Sequence, residues 1–149
     1  MKYFLISLTI LWMTSTNAQT AEDSVKTVVN TMFTAMRNGD AQLFRSVFGD
    51  SAFLQGFSRT KEGNTIIVTE SISEFADFVS QLKKDSADER IRFETIKIDG
   101  PMAIAWTPYR FYHNGKFSHC GVNSFQLVRI NNAWKIQYII DTRRTTGCL

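Results

Sequence analysis

The chain has 149 residues, 44% hydrophobic and 13% aromatic, which suits one domain built around one substantial core. Its 17 basic and 14 acidic side chains give a formal net charge of +3. The basic residues are scattered, so no field strong enough for nucleic-acid binding is expected.

Residues 1–18 read as an export signal. Lys2 supplies the positive start, Tyr3 to Met13 are largely apolar, and Thr16-Asn17-Ala18 ends in the small residue that signal peptidase favours. This stretch is too short to span a membrane and no later segment is long enough, so the mature chain should carry no stable membrane anchor. Residues 19–149 then form a single exported domain, periplasmic or secreted. Export places Cys120 and Cys148, the chain's two cysteines, where they can close one disulfide.

Val25, Val28, Val29, Met32, Phe33 and Met36 recur at the spacing of one helical face, and Asn38-Gly39 ends that helix. Asp40 is placed to cap a second, shorter helix carrying Leu43, Phe44 and Val47, and Gly49-Asp50 should break it. Strands are expected over Ala52–Ser58 and Thr65–Thr69. Ser71 with Glu74 forms a capping box ahead of Phe75, Phe78, Val79 and Leu82, which predicts a third helix ending near the polar run KKDSADER. From Arg90 the pattern is all strand: Ile91–Ile98, Met102–Tyr112, Lys116–Ile130 and Ala133–Asp141. The order predicts an α+β fold, with helices on one face of a curved antiparallel sheet.

Asn114-Gly115 and Asn131-Asn132 read as two-residue hairpin turns, so strand pairing can be counted outward from each. That count sets Arg110 opposite His119, Trp106 opposite Asn123, Phe125 opposite Tyr138 and His119 opposite Arg144. One face would collect Met102, Ile104, Trp106, Phe125, Leu127, Trp134, Ile136, Tyr138 and Ile140, turning polar at the end that holds Arg110, His119, Asn123 and Arg144. The other would carry Ala103, Ala105, Thr107, Gln126 and Gln137, with Asp141. An apolar sheet face that turns polar at one end suits a pocket wall.

The helix start NGDAQLF, the strand pair WTPYRFYHNGKFSHCGVNSF and the closing AWKIQYIIDTRRTTGC resemble the nuclear transport factor 2-like superfamily, over about Glu22 to Cys148. More narrowly they resemble its exported bacterial branch labelled putative lumazine-binding. The resemblance implies a cone-shaped sheet wrapped around about three helices. Within that superfamily, ketosteroid isomerase uses a general-base carboxylate just after the first strand, with a tyrosine and a protonated aspartate as oxyanion hole. The base position falls here on Gln55 or Gly56, and the count leaves no carboxylate on the apolar face of the last three strands. Scytalone dehydratase works through paired histidines, whereas this chain sets His119 inside and His113 in a turn.

The expected ligand pocket is Phe53, Phe57, Trp106, Arg110, His119, Asn123 and Tyr138. Arg110 is the candidate partner for an acidic group, and the aromatics could stack on a flat ring. His119 is the one candidate general base, and a strand histidine satisfied by a hydrogen bond is the plainer reading of it. No metal-ligand set and no cofactor motif is visible. Cys120 and Cys148 are expected to bond, since Arg143 counts opposite Cys120 and a reversal over Arg144–Gly147 brings Cys148 back. The function expected is binding of a small acidic or aromatic molecule. The alternatives are an isomerase, dehydratase or cyclase using His119, or an interaction domain with a filled core. A homodimer is expected through an outer sheet face of Val122, Ser124, Gln126, Gln137 and Ile139.

Overall fold

The computed structural model describes residues 21–148, so the export signal expected over 1–18 lies outside the described residues. The elements are α1 (Ala21–Asn38), α2 (Ala41–Ser46), β1 (Phe48–Arg59), β2 (Thr65–Ser71), α3 (Ile72–Ser80), β3 (Ala87–Ile91), β4 (Thr95–Asp99), β5 (Met102–His113), β6 (Lys116–Ile130) and β7 (Ala133–Arg144). Among the described residues no helix is long and apolar enough to cross a membrane.

Local chemistry places the helices where the sequence puts them. The Asp40 side chain accepts from Leu43 N at 2.9 Å and starts α2. Ser71 and Glu74 exchange their capping-box bonds at the head of α3. The strands differ more. The strand expected over Ile91–Ile98 forms only from Thr95, as β4, and β3 ends at Ile91 where that strand was expected to begin; both are antiparallel to β5. β3 lies largely within the polar run that was expected only to end α3.

The seven strands form one sheet in the order β2-β1-β7-β6-β5-β3, with β4 also on β5. β1 joins β7 in parallel, so the N-terminal hairpin extends the C-terminal meander. The apolar stripe of α1 (Val25, Val29, Met32, Phe33, Met36) meets Phe44 of α2, Val79 of α3 and the inner sheet residues Phe125, Leu127 and Ile136 in one core. Phe125, Leu127 and Ile136 have no exposed surface, which is worth about 1.5–3 kcal/mol each in burial.

Both turns form as expected, with positive φ at Asn114, Gly115, Asn131 and Asn132. The register then departs from a straight count at two bulges. Tyr112 pairs with Phe117 but Phe111 with His119, so Ser118 is an extra residue on β6. Leu127 pairs with Ile136 but Gln126 with Tyr138, so Gln137 is an extra residue on β7. Each bulge reverses the facing of the partner strand beyond it. Ala103, Ala105, Thr107 and Tyr109 therefore face the core, while Met102, Ile104 and Trp106 are 51, 41 and 45% exposed on the outer face. On β7, Ile139 and Asp141 turn inward, and Tyr138 and Ile140 turn outward.

The disulfide forms between Cys120 and Cys148, with Cα atoms 5.8 Å apart. Arg144, rather than Arg143, stands opposite Cys120, a consequence of the Gln137 bulge.

Candidate functional site

Between the helices and the concave sheet face lies a cavity of about 420 Å³. Met32, Phe33 and Met36 of α1, Phe44 of α2, Phe75 of α3 and Leu54 and Val68 of the β1–β2 hairpin make its body apolar. Its polar groups include a cluster on the inner face of four strands: Glu89 of β3, Tyr109 of β5, Asn123 of β6, and Asp141 and Arg143 of β7.

These side chains are held by one another. Asn123, 6% exposed, donates its amide Nδ2 to Glu89 Oε1 at 2.8 Å. The Tyr109 hydroxyl lies 3.0 Å from the Thr142 carbonyl and 3.3 Å from Asp141 Oδ2, so its single proton is shared between two acceptors. Burial pushes the Glu89 carboxyl up to about 7, helped by Asp141 and opposed by the Asn123 bond and Arg143. Burial likewise raises Asp141, against the pull of Arg143 and the Tyr109 bond. The Tyr109 hydroxyl is raised by burial and by the two nearby carboxylates, and stays protonated. At the hairpin rim, burial and Glu74 raise Glu70.

A carboxyl that titrates near neutrality can donate or accept a hydrogen bond, and can move a proton, under ordinary conditions. The cluster thus offers a ligand an amide, an adjustable carboxyl, a phenol and a guanidinium at one end of an apolar space. Among the described residues no three His, Cys, Asp or Glu side chains gather as a metal-ligand set.

Of the seven residues expected to form the pocket, the structure sets Asn123 in the cluster and Phe57 at the cavity's edge. His119 is on the inner face but beside the cavity, its ring 4.9 Å from Phe111 and 5.8 Å from Tyr109, with Nδ1 3.0 Å from Ser118 Oγ. Burial, then Arg143, lowers it to about 4, so it is neutral at pH 7. Trp106 and Arg110 fall on the outer face because of the Ser118 bulge, and Tyr138 because of the Gln137 bulge. Phe53 packs on Tyr138 at 4.8 Å, and the Tyr138 hydroxyl donates to Gln55 Oε1 at 2.7 Å.

Glu89, Tyr109, Asp141 and Arg143 escaped the sequence reading. Glu89 lies in the polar run expected to end the third helix, although Ala87-x-Glu89-x-Ile91 alternates as a half-buried strand does. The straight count sets Asp141 on the outer side, and the Gln137 bulge turns it inward.

Residues 20–138 match the family model described as putative lumazine-binding. The chain belongs to that family. Its fold is that of the nuclear transport factor 2-like superfamily. A nuclear transport factor 2-like protein of unknown function from Shewanella baltica is 14% identical, with TM-score 0.65 over 84% of this chain and 94% of that one. One from Silicibacter pomeroyi is 16% identical, with TM-score 0.63 over 81% and 93%. A domain of unknown function with a cystatin-like fold from Nostoc punctiforme is 18% identical, with TM-score 0.65 over 89% and 82%. Such identities speak to fold alone. No curated protein matches the chain.

Proposed function

We propose that this domain is an exported binding protein for a small, flat, largely apolar molecule held in the inner cavity. The observation that carries this reading is the gathering of Glu89, Tyr109, Asn123, Asp141 and Arg143 at one end of an apolar space of about 420 Å³. A ring would lie against Met32, Phe33 and Phe75, and its polar edge would meet Asn123 and Glu89. An edge with a donor beside an acceptor suits that pair, since Asn123 has a spare amide hydrogen and carbonyl oxygen and Glu89 can serve in either role. The family description makes lumazine, a flat bicyclic heteroaromatic, the first probe. An open cavity of this size speaks against the filled-core alternative.

Isothermal titration with lumazine and a panel of small heteroaromatics tests the reading. Binding to one site, weakened at least tenfold by Asn123→Ala and abolished by filling the cavity with Ile139→Trp, supports it. Undiminished binding in the folded Ile139→Trp variant moves the ligand elsewhere.

A second reading, proton-transfer catalysis on the bound molecule, is favoured by the Glu89 carboxyl titrating near 7 inside the cavity. This shifts the catalytic candidate from His119, neutral and screened by Tyr109 and Phe111, to Glu89. Solvent deuterium exchange into a bound ligand, lost in Glu89→Gln, is its signature.

Export is supported by the bonded cysteines, and a homodimer by the outer face. Ile139 leaves that face, and Met102, Ile104 and Trp106 replace it with a more apolar surface than the sequence suggested. Sedimentation of Trp106→Glu against the unsubstituted protein tests the dimer; identical monomeric masses for both remove it.

A further inference from the structure

A second concavity, of about 490 Å³, runs across β3, β5, β6 and β7. Arg90, Arg92, Arg110 and Arg144 line it, with Pro108, Tyr109 and Gly121, and among the described residues no acidic side chain does. Three of the arginines are set by register in one cross-strand row: Arg90 pairs with Arg110, Arg110 with Cys120, and Cys120 with Arg144. Arg92 joins them because its backbone N–H donates to the Pro108 carbonyl at 3.0 Å, continuing the chain alongside β5 past the end of β3.

Like charges along one groove repel unless something offsets them, and several contacts do so here. Arg90 Nε meets Asp88 Oδ2 at 2.8 Å while its guanidinium covers the Tyr112 ring at 4.3 Å. Arg92 meets Glu94 at 3.4 Å, and Arg144 Nε donates to the Gly147 carbonyl at 3.3 Å. Each of the polar contacts uses one of a guanidinium's five N–H donors, and the ring contact uses none. The contacts hold the stems of Arg90 and Arg144 in place, and the Cys120–Cys148 bond holds the Gly147 segment against the row.

We propose that this groove binds a small molecule carrying two or more oxyanion groups, phosphate or carboxylate. Guanidinium groups grip such oxygens in pairs. Adjacent strands are about 4.8 Å apart, so the backbones of Arg110 and Arg144, two strands apart, are separated by about 10 Å. That spacing lets two anionic groups of one ligand be held at once, and a groove of this volume takes a metabolite rather than a polymer. The groove and the inner cavity share Tyr109 in their walls, but none of the four arginines of the groove lines the cavity.

Isothermal titration at low ionic strength with inorganic pyrophosphate and, separately, citrate tests it. One saturable site for at least one of the two is expected, and which anion binds decides between phosphate and carboxylate. Arg110→Ala and Arg144→Ala should each weaken binding at least tenfold, with unchanged melting temperature. Arg129→Ala, an equal loss of charge at the far end of the sheet, should leave it within about twofold. Absence of binding by both anions, or an equal loss in Arg129→Ala, would overturn the proposal. Should Arg144→Ala loosen the tail, Arg90→Gln gives the same decision at a side chain remote from the disulfide.

Discussion

The Asn123 amide donates to Glu89 Oε1 at 2.8 Å, joining β6 to β3 across the concave face although β5 runs between them. Because the carboxyl is pushed up to about 7 while an unfolded glutamate titrates near 4.3, the folded state binds the extra proton between those values. Stability from this group is therefore fully present below about pH 4 and is lost as pH rises to 7, by on the order of 3–4 kcal/mol. Thermal melts of Glu89→Gln should lose much of that decline between pH 5 and 8. Asp141, raised in the same direction, keeps part of it. A variant with an undiminished slope would show that Glu89 is ionised in the fold.

The same bond opposes the upward shift, so Asn123→Ala should raise the Glu89 carboxyl further above 7. Carbon-13 NMR titration of the glutamate carboxyls reads this directly. An unmoved or lowered midpoint would mean that the amide does not hold the ionised form.

Thr107 is fully buried, and among the described residues its hydroxyl has no hydrogen-bond partner. Replacing it by the near-isosteric valine removes an unsatisfied polar atom, so Thr107→Val should stabilise the fold by about 1 kcal/mol, or about 3 °C in Tm. A loss of stability would show that the hydroxyl has found a water or a ligand atom.

Gly121 faces the core where β6 runs close to β7. A Cβ there would strike the Thr142 carbonyl and come within 2.7 Å of the Tyr109 ring. Gly121→Ala should cost at least about 2–3 kcal/mol in urea unfolding and, by displacing Tyr109, weaken any cavity ligand. Wild-type stability in this variant would contradict the close approach.

The Cys120–Cys148 bond closes a loop of 28 residues in sequence separation, which the chain-entropy relation values at about 3–4 kcal/mol. Reduction, or Cys148→Ser, should lower the denaturation midpoint accordingly without abolishing the fold, because the sheet and helices share a continuous core. Complete unfolding on reduction would show that the core is weaker than its burial implies.

The sequence by itself determined the helices, the turns and the fold class, because these rest on short-range chemistry. Asp40 and the Ser71–Glu74 box cap helices wherever they occur, and Asn114-Gly115 turns the chain through local φ preferences. Cys120 and Cys148 were legible as a pair because no third cysteine competes.

Which side chains meet inside was decided only by the tertiary structure. Alternation carries inside-outside information from a turn only while the pairing stays in step, and one extra residue inverts everything beyond it. Ser118 sends Trp106 and Arg110 outward and brings Thr107 and Tyr109 in; Gln137 exchanges Tyr138 for Ile139 and Asp141. The sequence could not signal either bulge, since both faces of β5 carry apolar residues. Only packing separates small Ala103 and Ala105, which fit beneath the helices, from large Met102, Ile104 and Trp106, which do not. Glu89 was hidden for a related reason: a carboxyl becomes a neutral pocket group only once a fold removes it from water.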